Sequence, residues 1–168
     1  MSRKLDDLRP EIRAAALDVM RGCQETGFDL LIYCTLRTFA EQAMLWRRGR
    51  TKEQIVDTAE LLEKTYLRAD LAKVLIDVGP QYGTKVTNAA PGFSLHNYGM
   101  AFDAVPLVQG RPLWGTGNVE WKLYGEAVKH AGLEWGGEWV NFADFPHAQV
   151  KGVDVITLLK RGKRDGKG

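Results

Sequence analysis

Residues 90–103 read APGFSLHNYGMAFD, and this stretch lies where the chain changes from helical to extended patterning. From Gln81 to Gly117 short apolar pieces alternate with glycine, proline and asparagine, which predicts strands and loops rather than helices. Ala101, Asp103 and Val105 are expected to share one face of a strand, because side chains alternate along extended backbone. That strand places a carboxylate among small apolar neighbours, which is costly unless the carboxylate is paired or bound to a metal.

The chain before this stretch is predicted to be mainly helical. Apolar residues recur at three- and four-residue steps from Leu5 to Cys23, as on the core-facing side of a helix. A short apolar run, Asp29–Thr35 (DLLIYCT), has the length of a buried strand. Thr38 and Glu41 match a capping box that begins a second helix. Residues 52–76 repeat apolar positions as in one long helix or two shorter ones.

A further helix follows the strand-and-loop region. Asn118 can cap this helix, which runs to His130 and is ended by Gly132. The last third of the chain consists of aromatic-rich loops and an apolar run, Val153–Leu159. The order of these elements predicts an α+β fold in which the helices come first.

The composition is that of a soluble globular domain. Of 168 residues, 45% are apolar and 26% are charged, which argues against a disordered chain and fits one domain with a hydrophobic core. No stretch approaches the roughly 18 consecutive apolar residues of a transmembrane helix, so we expect no membrane insertion. The first seven residues, MSRKLDD, lack the apolar region of a signal peptide, so we expect synthesis without one. Cys23 and Cys34 are too few for a disulfide framework and are expected to be buried thiols.

Basic residues are concentrated at the end of the sequence. The net charge is +2, but Lys160–Gly168 (KRGKRDGKG) alone carries +4, so the other 159 residues together carry −2. We expect residues 160–168 to form a solvated, mobile tail behind a domain of residues 1–159. A basic tail attracts polyanions, but this one contains no aromatic residue, so we expect no nucleic-acid binding.

Two segments combine residue types that bind metals. His96 and Asp103 supply a nitrogen and an oxygen ligand, which suit zinc in a three-ligand site with one position left for water. Gly99 between them allows a sharp turn, and for this pair alone a turn with a hydrogen-bonded histidine is the simpler interpretation. The segment Asp144–His147 (DFPH) favours a metal site, because it supplies another histidine with an aspartate three residues before it. His130 is left out, since the helix dipole explains a histidine at the end of a predicted helix.

These segments belong to a longer pattern. Ser94–Asp103 has the form S-x-H-x-x-G-x-A-x-D, and it is followed by Trp135–Trp139 (WGGEW) and Asp144–His147. Leu36–Gln42 (LRTFAEQ) contains R-[ST]-x-x-E-Q, and Lys85–Ala89 leads into the first motif. Together they resemble the zinc peptidases that cut peptidoglycan stem peptides, which are the D-alanyl-D-alanine carboxypeptidases and dipeptidases and the phage L-alanyl-D-glutamate endolysins. The resemblance is closest to the endolysin branch.

The resemblance implies roles for individual residues. It assigns three zinc ligands, His96, Asp103 and His147. Asp144 matches the catalytic carboxylate, which takes a proton from the zinc-bound water and passes it to the leaving amine. Arg37 matches the arginine on the substrate side, whose fork holds a carboxylate or steadies the oxyanion. An arginine packed beside a helix cap is the alternative interpretation of Arg37.

Two further residues are candidates for substrate binding. Ser94 either hydrogen-bonds substrate or shapes the turn before the first histidine. Trp139 is counted as a substrate contact, although Trp139 and Trp135 are also explained as parts of the core and the pocket wall. Residues 51–83 are longer and more helical than the resemblance implies. They are predicted to be a helical insertion, either a lid that shapes substrate binding or extra helical packing.

The resemblance implies a fold and a function. The fold is a single α+β domain whose N-terminal helices pack on a small, mostly antiparallel sheet that carries the zinc site. The function is Zn²⁺-dependent hydrolysis of the L-Ala–D-Glu bond in the peptidoglycan stem peptide by a phage or prophage endolysin. Such an enzyme is expected to be a monomer, made in the cytoplasm and released to the cell wall with the help of a holin.

Two alternatives remain open. One is a D-Ala-D-Ala carboxypeptidase or dipeptidase of the same family, which has the same metal ligands. The other is a catalytically silent, zinc-containing module that binds the cell wall. Asp144 argues against the silent module, because a structural zinc site needs no general base.

Overall fold

Helices and strands are both present in the computed structural model, which describes residues 1–161. Over this range the α-helices are α1 (Pro10–Glu25), α2 (Phe39–Arg47), α3 (Lys52–Glu60), α4 (Ala69–Asp77), α5 (Val119–His130) and α6 (Val155–Arg161). The strands are β1 (Asp29–Cys34), β2 (Ala101–Val108), β3 (Arg111–Pro112), β4 (Leu133–Trp135) and β5 (His147–Val150). The predicted α+β class is confirmed.

The strands of the described range form one antiparallel sheet in the order β1-β2-β5-β4, with the short β3 paired to β2. Strand β2 is therefore central. Asp103 on β2 is opposite His147 on β5 and opposite Cys34 on β1, where the register shifts after Ile32. Residues directly opposite each other in an antiparallel pair have Cβ atoms about 4.5–5.5 Å apart, so their side chains are within reach of each other.

The chain divides into two compact units. The sheet unit consists of Met1–Leu36 and Tyr98–Val153, and the helical unit consists of Arg37–Asn97 and the described residues from Asp154 onward. The core of the sheet unit joins α1 and α5 to the sheet through buried side chains that include Ile12, Val19, Phe102, Val105, Trp121 and Tyr124. The packing of the N-terminal helix on the antiparallel sheet agrees with the predicted fold.

The helical unit has its own core. Helices α2, α3, α4 and α6 all contribute apolar side chains to it, among them Trp46, Ile55, Leu71, Leu75 and Leu159. Of the two arrangements predicted for residues 52–76, the pair of shorter helices is correct, because α3 continues into a π-helical turn at Leu61–Thr65 and Leu67 adopts a left-handed φ of 56° before α4 begins. Residues 51–83 thus contribute to a hydrophobic core, and a role for them in substrate binding stays a prediction.

Of the two predicted helix caps, one is present. At the start of α2, Glu41 N donates to Thr38 Oγ1 at 3.2 Å, and Thr38 N donates to a Glu41 carboxylate oxygen at 2.9 Å. Asn118 occupies the position before α5, but its side chain makes no capping hydrogen bond. Its Nδ2 donates instead to the Gly115 carbonyl at 2.8 Å, so the prediction of a side-chain cap there is wrong.

The described part of the chain ends in a helix. The apolar run Val153–Leu159 contributes to α6, and Lys160 and Arg161, the first residues of the predicted tail, complete that helix. Residues 162–168 of the predicted tail lie outside the described residues. Over residues 1–161, no helix has the length and apolar character that crossing a membrane requires.

Gly125 in the middle of α5 lies against the indole ring of Trp135. A Cβ at Gly125 would lie 2.4 Å from the nearest Trp135 ring carbon, whereas a Cβ at Gly22 in α1 would meet only the Ala127 Cβ at 3.5 Å. We expect Gly125→Ala to lower the free energy of unfolding by about 1–3 kcal/mol through overpacking. The matched control Gly22→Ala should raise it by about 0.5–1 kcal/mol, as is usual in a helix interior. Urea denaturation measures both, and equal stability of the two variants would contradict the tight packing at Gly125.

Candidate metal centre

Asp103 on β2 and His147 on β5 form a buried pair in the sheet unit. The two residues are 8% and 7% exposed, and His147 Nδ1 lies 3.1 Å from Asp103 Oδ1. The strand register brings them together, because they are directly opposite each other in the β2–β5 pairing. Two of the three predicted metal ligands are therefore neighbours in the structure.

The chemistry of this pair suits a divalent metal. A carboxylate oxygen and an imidazole nitrogen both bind zinc, with bonds of about 2.0–2.2 Å. Two such ligands on a tetrahedral ion are about 3.4 Å apart. This separation is close to the 3.1 Å between Asp103 Oδ1 and His147 Nδ1, so the pair fits a zinc ion with little rearrangement.

Cys34 at the end of β1 lies beside this pair. The residue is fully buried, and its Sγ is within 4.8 Å of an Asp103 carboxylate oxygen. Cys23 is buried in the core of the sheet unit, and burial raises the pKa of its thiol to about 12. The prediction of buried thiols is confirmed for both cysteines. The position of Cys34 beside Asp103 follows from the β1–β2 register, which the sequence does not reveal.

A chain of hydrogen-bonded side chains begins at His147 Nε2, the ring nitrogen that does not face Asp103. His147 Nε2 lies 3.0 Å from Gln149 Oε1. Gln149 Nε2 donates to Glu134 Oε2 at 3.2 Å, and Trp139 Nε1 donates to Glu134 Oε1 at 2.6 Å. The Trp139 ring also lies 5.1 Å from the His147 ring, with 46° between their planes. Sequence reasoning identified Trp139 but missed Gln149 and Glu134; the alternation of residues 147 and 149 along a strand was the available signal.

Asp144 lies in the turn that leads into β5. Its backbone N donates to the Gly136 carbonyl at 2.9 Å, and its own carbonyl accepts from His147 N at 3.1 Å. A Cβ on Gly136 would lie 2.6 Å from the Asp144 carbonyl oxygen and 3.0 Å from the His147 Cβ, so a larger residue would push the turn away. The WGGEW and DFPH segments therefore pack together, and the turn fixes the backbone of Asp144 and His147.

Pro146, immediately before His147, is also held in place. Its carbonyl accepts from Tyr124 Oη at 2.9 Å and from Ala104 N at 3.0 Å. Burial, and to a lesser extent the nearby Asp103 carboxylate, raises the pKa of Tyr124 well above its usual value. The phenol therefore stays protonated and keeps donating to this carbonyl.

The predicted sharp turn in the first motif is present at Gly99. Its φ is 66°, in the left-handed region that favours glycine. A Cβ at this position would also lie 2.7 Å from the Asp7 carbonyl oxygen. Both conformation and space therefore require glycine between the first motif's histidine and its aspartate.

Arg37, Ser94 and His96 lie in the helical unit. Arg37 N donates to the His96 carbonyl at 3.1 Å, so these two predicted site residues are adjacent through their backbones. Ser94 and His96 are 8% and 1% exposed, and His96 lies in a 3₁₀ turn, Leu95–Tyr98. Asn97 Nδ2 donates to the Arg37 carbonyl at 2.9 Å and strengthens the same connection.

Gln42 orients the arginine of the LRTFAEQ segment. Its Oε1 accepts from Arg37 Nη1 at 2.9 Å, while its Nε2 donates to the Ala89 carbonyl at 2.7 Å. Thr38 and Glu41 of the same segment form the α2 cap, so each polar position of the motif has a local structural role. Sequence reasoning missed the contribution of Gln42. The substrate role of Arg37 stays a prediction.

The predicted site residues fall into two groups. The sheet unit contains Asp103, Trp139, Asp144 and His147, and the helical unit contains Arg37, Ser94 and His96. Within each group, backbone or side-chain contacts connect most members. His130, which the sequence excluded from the site, is exposed at the end of α5.

Known proteins are similar to most of this chain. A family model described as D-alanyl-D-alanine carboxypeptidase matches residues 87–150, a range that contains His96, Asp103, Asp144 and His147. The chain is 30% identical over 152 residues to the peptidoglycan L-alanyl-D-glutamate endopeptidase CwlK of Bacillus subtilis. That similarity covers 86% of this chain and 74% of the relative.

Solved structures share the fold. The L,D-carboxypeptidase DacB from Streptococcus pneumoniae matches with a TM-score of 0.50 at 15% identity, over 92% of this chain and 72% of that one. The LD-carboxypeptidase LdcB also matches with a TM-score of 0.50, at 19% identity, over 92% of this chain and 71% of that one. At these identities the likeness concerns the fold alone. The extent of the similarity to the endopeptidase, together with the family match, shows that the chain belongs to the peptidase M15 family.

Proposed function

We propose that this protein is a zinc-dependent endopeptidase that hydrolyses the L-Ala–D-Glu bond of the peptidoglycan stem peptide. The observation that carries the proposal is the buried Asp103–His147 pair, whose oxygen and nitrogen face each other at a distance that suits one metal ion. The 30% identity to a peptidoglycan L-alanyl-D-glutamate endopeptidase supports the choice of bond.

His96 is the third proposed zinc ligand. Only six residues separate it from Asp103 in the sequence, and it precedes the sharp turn at Gly99. Two imidazoles and one carboxylate form a set of three protein ligands of the kind that leaves one position open for catalysis. When bound, zinc supplies Lewis-acid chemistry, since it polarises the scissile carbonyl and makes water acidic enough to be deprotonated near neutral pH.

Asp144 is the proposed general base and acid. Its carboxylate accepts a proton from the attacking water and transfers it to the nitrogen of the leaving amine, so the amide breaks without releasing a strongly basic amide anion. The fixed turn at Asp144 supports this role, because proton transfer requires a carboxylate held in position.

Arg37 is proposed to bind a substrate carboxylate or the developing oxyanion. Gln42 holds one guanidinium nitrogen, which orients the group and reduces the entropy lost on binding. Ser94 and Trp139 are proposed substrate contacts. The indole nitrogen of Trp139 already donates to Glu134, so Trp139 would offer the face or edge of its ring.

A second candidate is a carboxypeptidase acting on D-Ala-D-Ala. The observation that favours it is the family match over residues 87–150, whose description is D-alanyl-D-alanine carboxypeptidase. Both reactions use the same metal ligands and the same proton transfer, and they differ only in which bond lies at the metal.

Mass spectrometry of purified peptidoglycan distinguishes these functions. Digestion with the zinc-loaded protein should give stem peptides that newly begin with D-glutamate, and a chelator-treated sample should give none. Release of D-alanine alone would replace the proposal with the carboxypeptidase. An absence of new termini would leave a zinc-containing wall-binding module and would refute the catalytic function.

The proposed biological role is lysis by a phage or prophage endolysin. The motif resemblance to the endolysin branch supports this role. The protein would act as a monomer, made in the cytoplasm and released to the wall with the help of a holin. Cytoplasmic expression should then lyse cells only after the inner membrane is permeabilised, and lysis without permeabilisation would contradict the need for a holin.

A further inference from the structure

Three residues of the sheet unit form a hydrogen-bonded relay behind His147. Trp139 Nε1 donates to Glu134 Oε1, Gln149 Nε2 donates to Glu134 Oε2, and Gln149 Oε1 faces His147 Nε2 at 3.0 Å. The sheet explains the arrangement, because Glu134 on β4 is directly opposite Gln149 on β5. Residues 147 and 149 lie on the same face of β5, since side chains alternate along a strand.

The direction of each hydrogen bond in this relay is fixed by the bond from Trp139 to Glu134. An indole N–H only donates, and an ionised carboxylate only accepts. Gln149 must therefore direct its NH₂ group at Glu134 and its oxygen at His147. An amide oxygen accepts only, so the hydrogen bond at 3.0 Å requires the proton of a neutral His147 ring to be on Nε2.

The other ring nitrogen of His147 is then left with a lone pair. This atom, Nδ1, lies 3.1 Å from Asp103 Oδ1, which is also an acceptor. Two acceptors at this distance repel each other unless a cation lies between them or a proton is added. The relay therefore presents Nδ1 in the form in which a histidine binds a metal.

We propose that Gln149, anchored by Glu134 and Trp139, is a positioning residue that holds His147 in the Nε2–H tautomer and so makes Nδ1 the metal ligand. The inference rests on the proposed function in one respect, the presence of zinc at Asp103 and His147. It adds two residues, Gln149 and Glu134, to which no role had been assigned. It also gives Trp139 a structural role besides its proposed contact with substrate.

The sharpest test of the relay exchanges the carboxylate of Glu134 and the amide of Gln149. In Glu134→Gln, the new amide still accepts from Trp139 through its oxygen, so its NH₂ group meets the NH₂ group of Gln149. Gln149 then turns over and donates to His147 Nε2, which moves the ring proton to Nδ1. In the double variant Glu134→Gln/Gln149→Glu, the carboxylate introduced at position 149 accepts from both His147 Nε2 and the amide introduced at position 134, so the original tautomer returns.

Two readouts are needed, neither of which is activity. Nitrogen-15 NMR of the metal-free protein shows whether His147 Nε2 carries a proton, which the relay requires whether or not Nδ1 is also protonated beside Asp103. Competition with a chromophoric chelator gives the zinc affinity. We expect Glu134→Gln and Gln149→Leu to bind zinc about 10–100-fold more weakly than the unaltered protein, the range typical of partners that orient metal-bound histidines. The double variant should recover most of the affinity and the Nε2–H signal.

Controls separate the relay from the proposed function. Gln24→Leu removes an exposed hydrogen bond to Asp29 in the same unit and should change neither readout. Unaltered tautomer and affinity in Glu134→Gln and Gln149→Leu would overturn the relay while leaving zinc binding intact. If the unaltered protein binds no zinc, the proposed function fails, and the NMR comparison of the metal-free variants still decides whether the relay sets the tautomer.

Discussion

Asp144→Asn should slow peptidoglycan hydrolysis by orders of magnitude while zinc remains bound. An asparagine side chain cannot accept the proton of the attacking water, and general acid–base catalysis of this kind typically contributes about 10²–10⁴-fold to the rate. The hydrogen bonds that fix the turn are made by the backbone of Asp144, so the substitution leaves them in place. We therefore expect kcat to fall by about 10²–10⁴-fold with little change in zinc affinity or unfolding temperature.

The matched control for this experiment is Asp18→Asn. Asp18 is an exposed carboxylate on α1 of the same unit, and its loss should leave kcat unchanged. Cleavage rates come from the mass spectrometry of digested peptidoglycan, and zinc content from elemental analysis. Normal turnover by Asp144→Asn would show that another group transfers the proton, and a loss of bound zinc would show that Asp144 belongs to the metal site instead.

Replacing His147 should eliminate tight zinc binding and all hydrolysis that depends on it. His147→Ala removes one of three proposed ligands, so its effect should exceed the about 10–100-fold loss that follows when only an orienting partner is removed. It also removes the hydrogen-bond partner of Gln149 Oε1, which His147 Nε2 faces at 3.0 Å. The metal-free variant should therefore be less stable as well, by about 1–3 kcal/mol.

His130→Ala is the control for the histidine experiment. This residue is exposed at the end of α5, so its loss should change neither zinc affinity nor turnover. Because His147→Ala risks misfolding, the more conservative His147→Gln is measured beside it, with circular dichroism to verify the fold. Wild-type zinc affinity in a folded His147 variant would rule out His147 as a ligand.

Local signals in the sequence predicted several elements well. The spacing of apolar residues identified α1 and the strand β1, and the Thr38–Glu41 pair identified the start of α2. These features depend on residues that are close together in the chain, so their physical causes can be seen in the sequence itself. The break between α3 and α4 was visible only as an alternative, because the apolar period continues through residues 61–68.

The candidate site was predicted only in part, because local motifs reveal residue types but not the partners that tertiary structure supplies. The motif Ser94–Asp103 and the segment Asp144–His147 named residues of types that bind metals, and the structure places Asp103 against His147. The roles of Glu134 and Gln149 were missed, because the two residues meet only through strand pairing. The role of Gln42 was missed although Arg37, its partner, is five positions away in the same motif. No spacing in the sequence connects Glu134 with Gln149, whereas the β4–β5 register sets them directly opposite each other.

The sequence by itself determined the α+β class, the capping of α2, the need for a sharp turn at Gly99 and the residue types of the site. Such features are governed by local backbone preferences and side-chain chemistry, which neighbouring residues reveal. Only the tertiary structure decided which atom of His147 faces Asp103 and which side chain holds its other nitrogen. Strand pairing brings together Asp103 and His147, which are 44 positions apart in the chain. Such long-range neighbours decide which groups donate and which accept hydrogen bonds in a buried site.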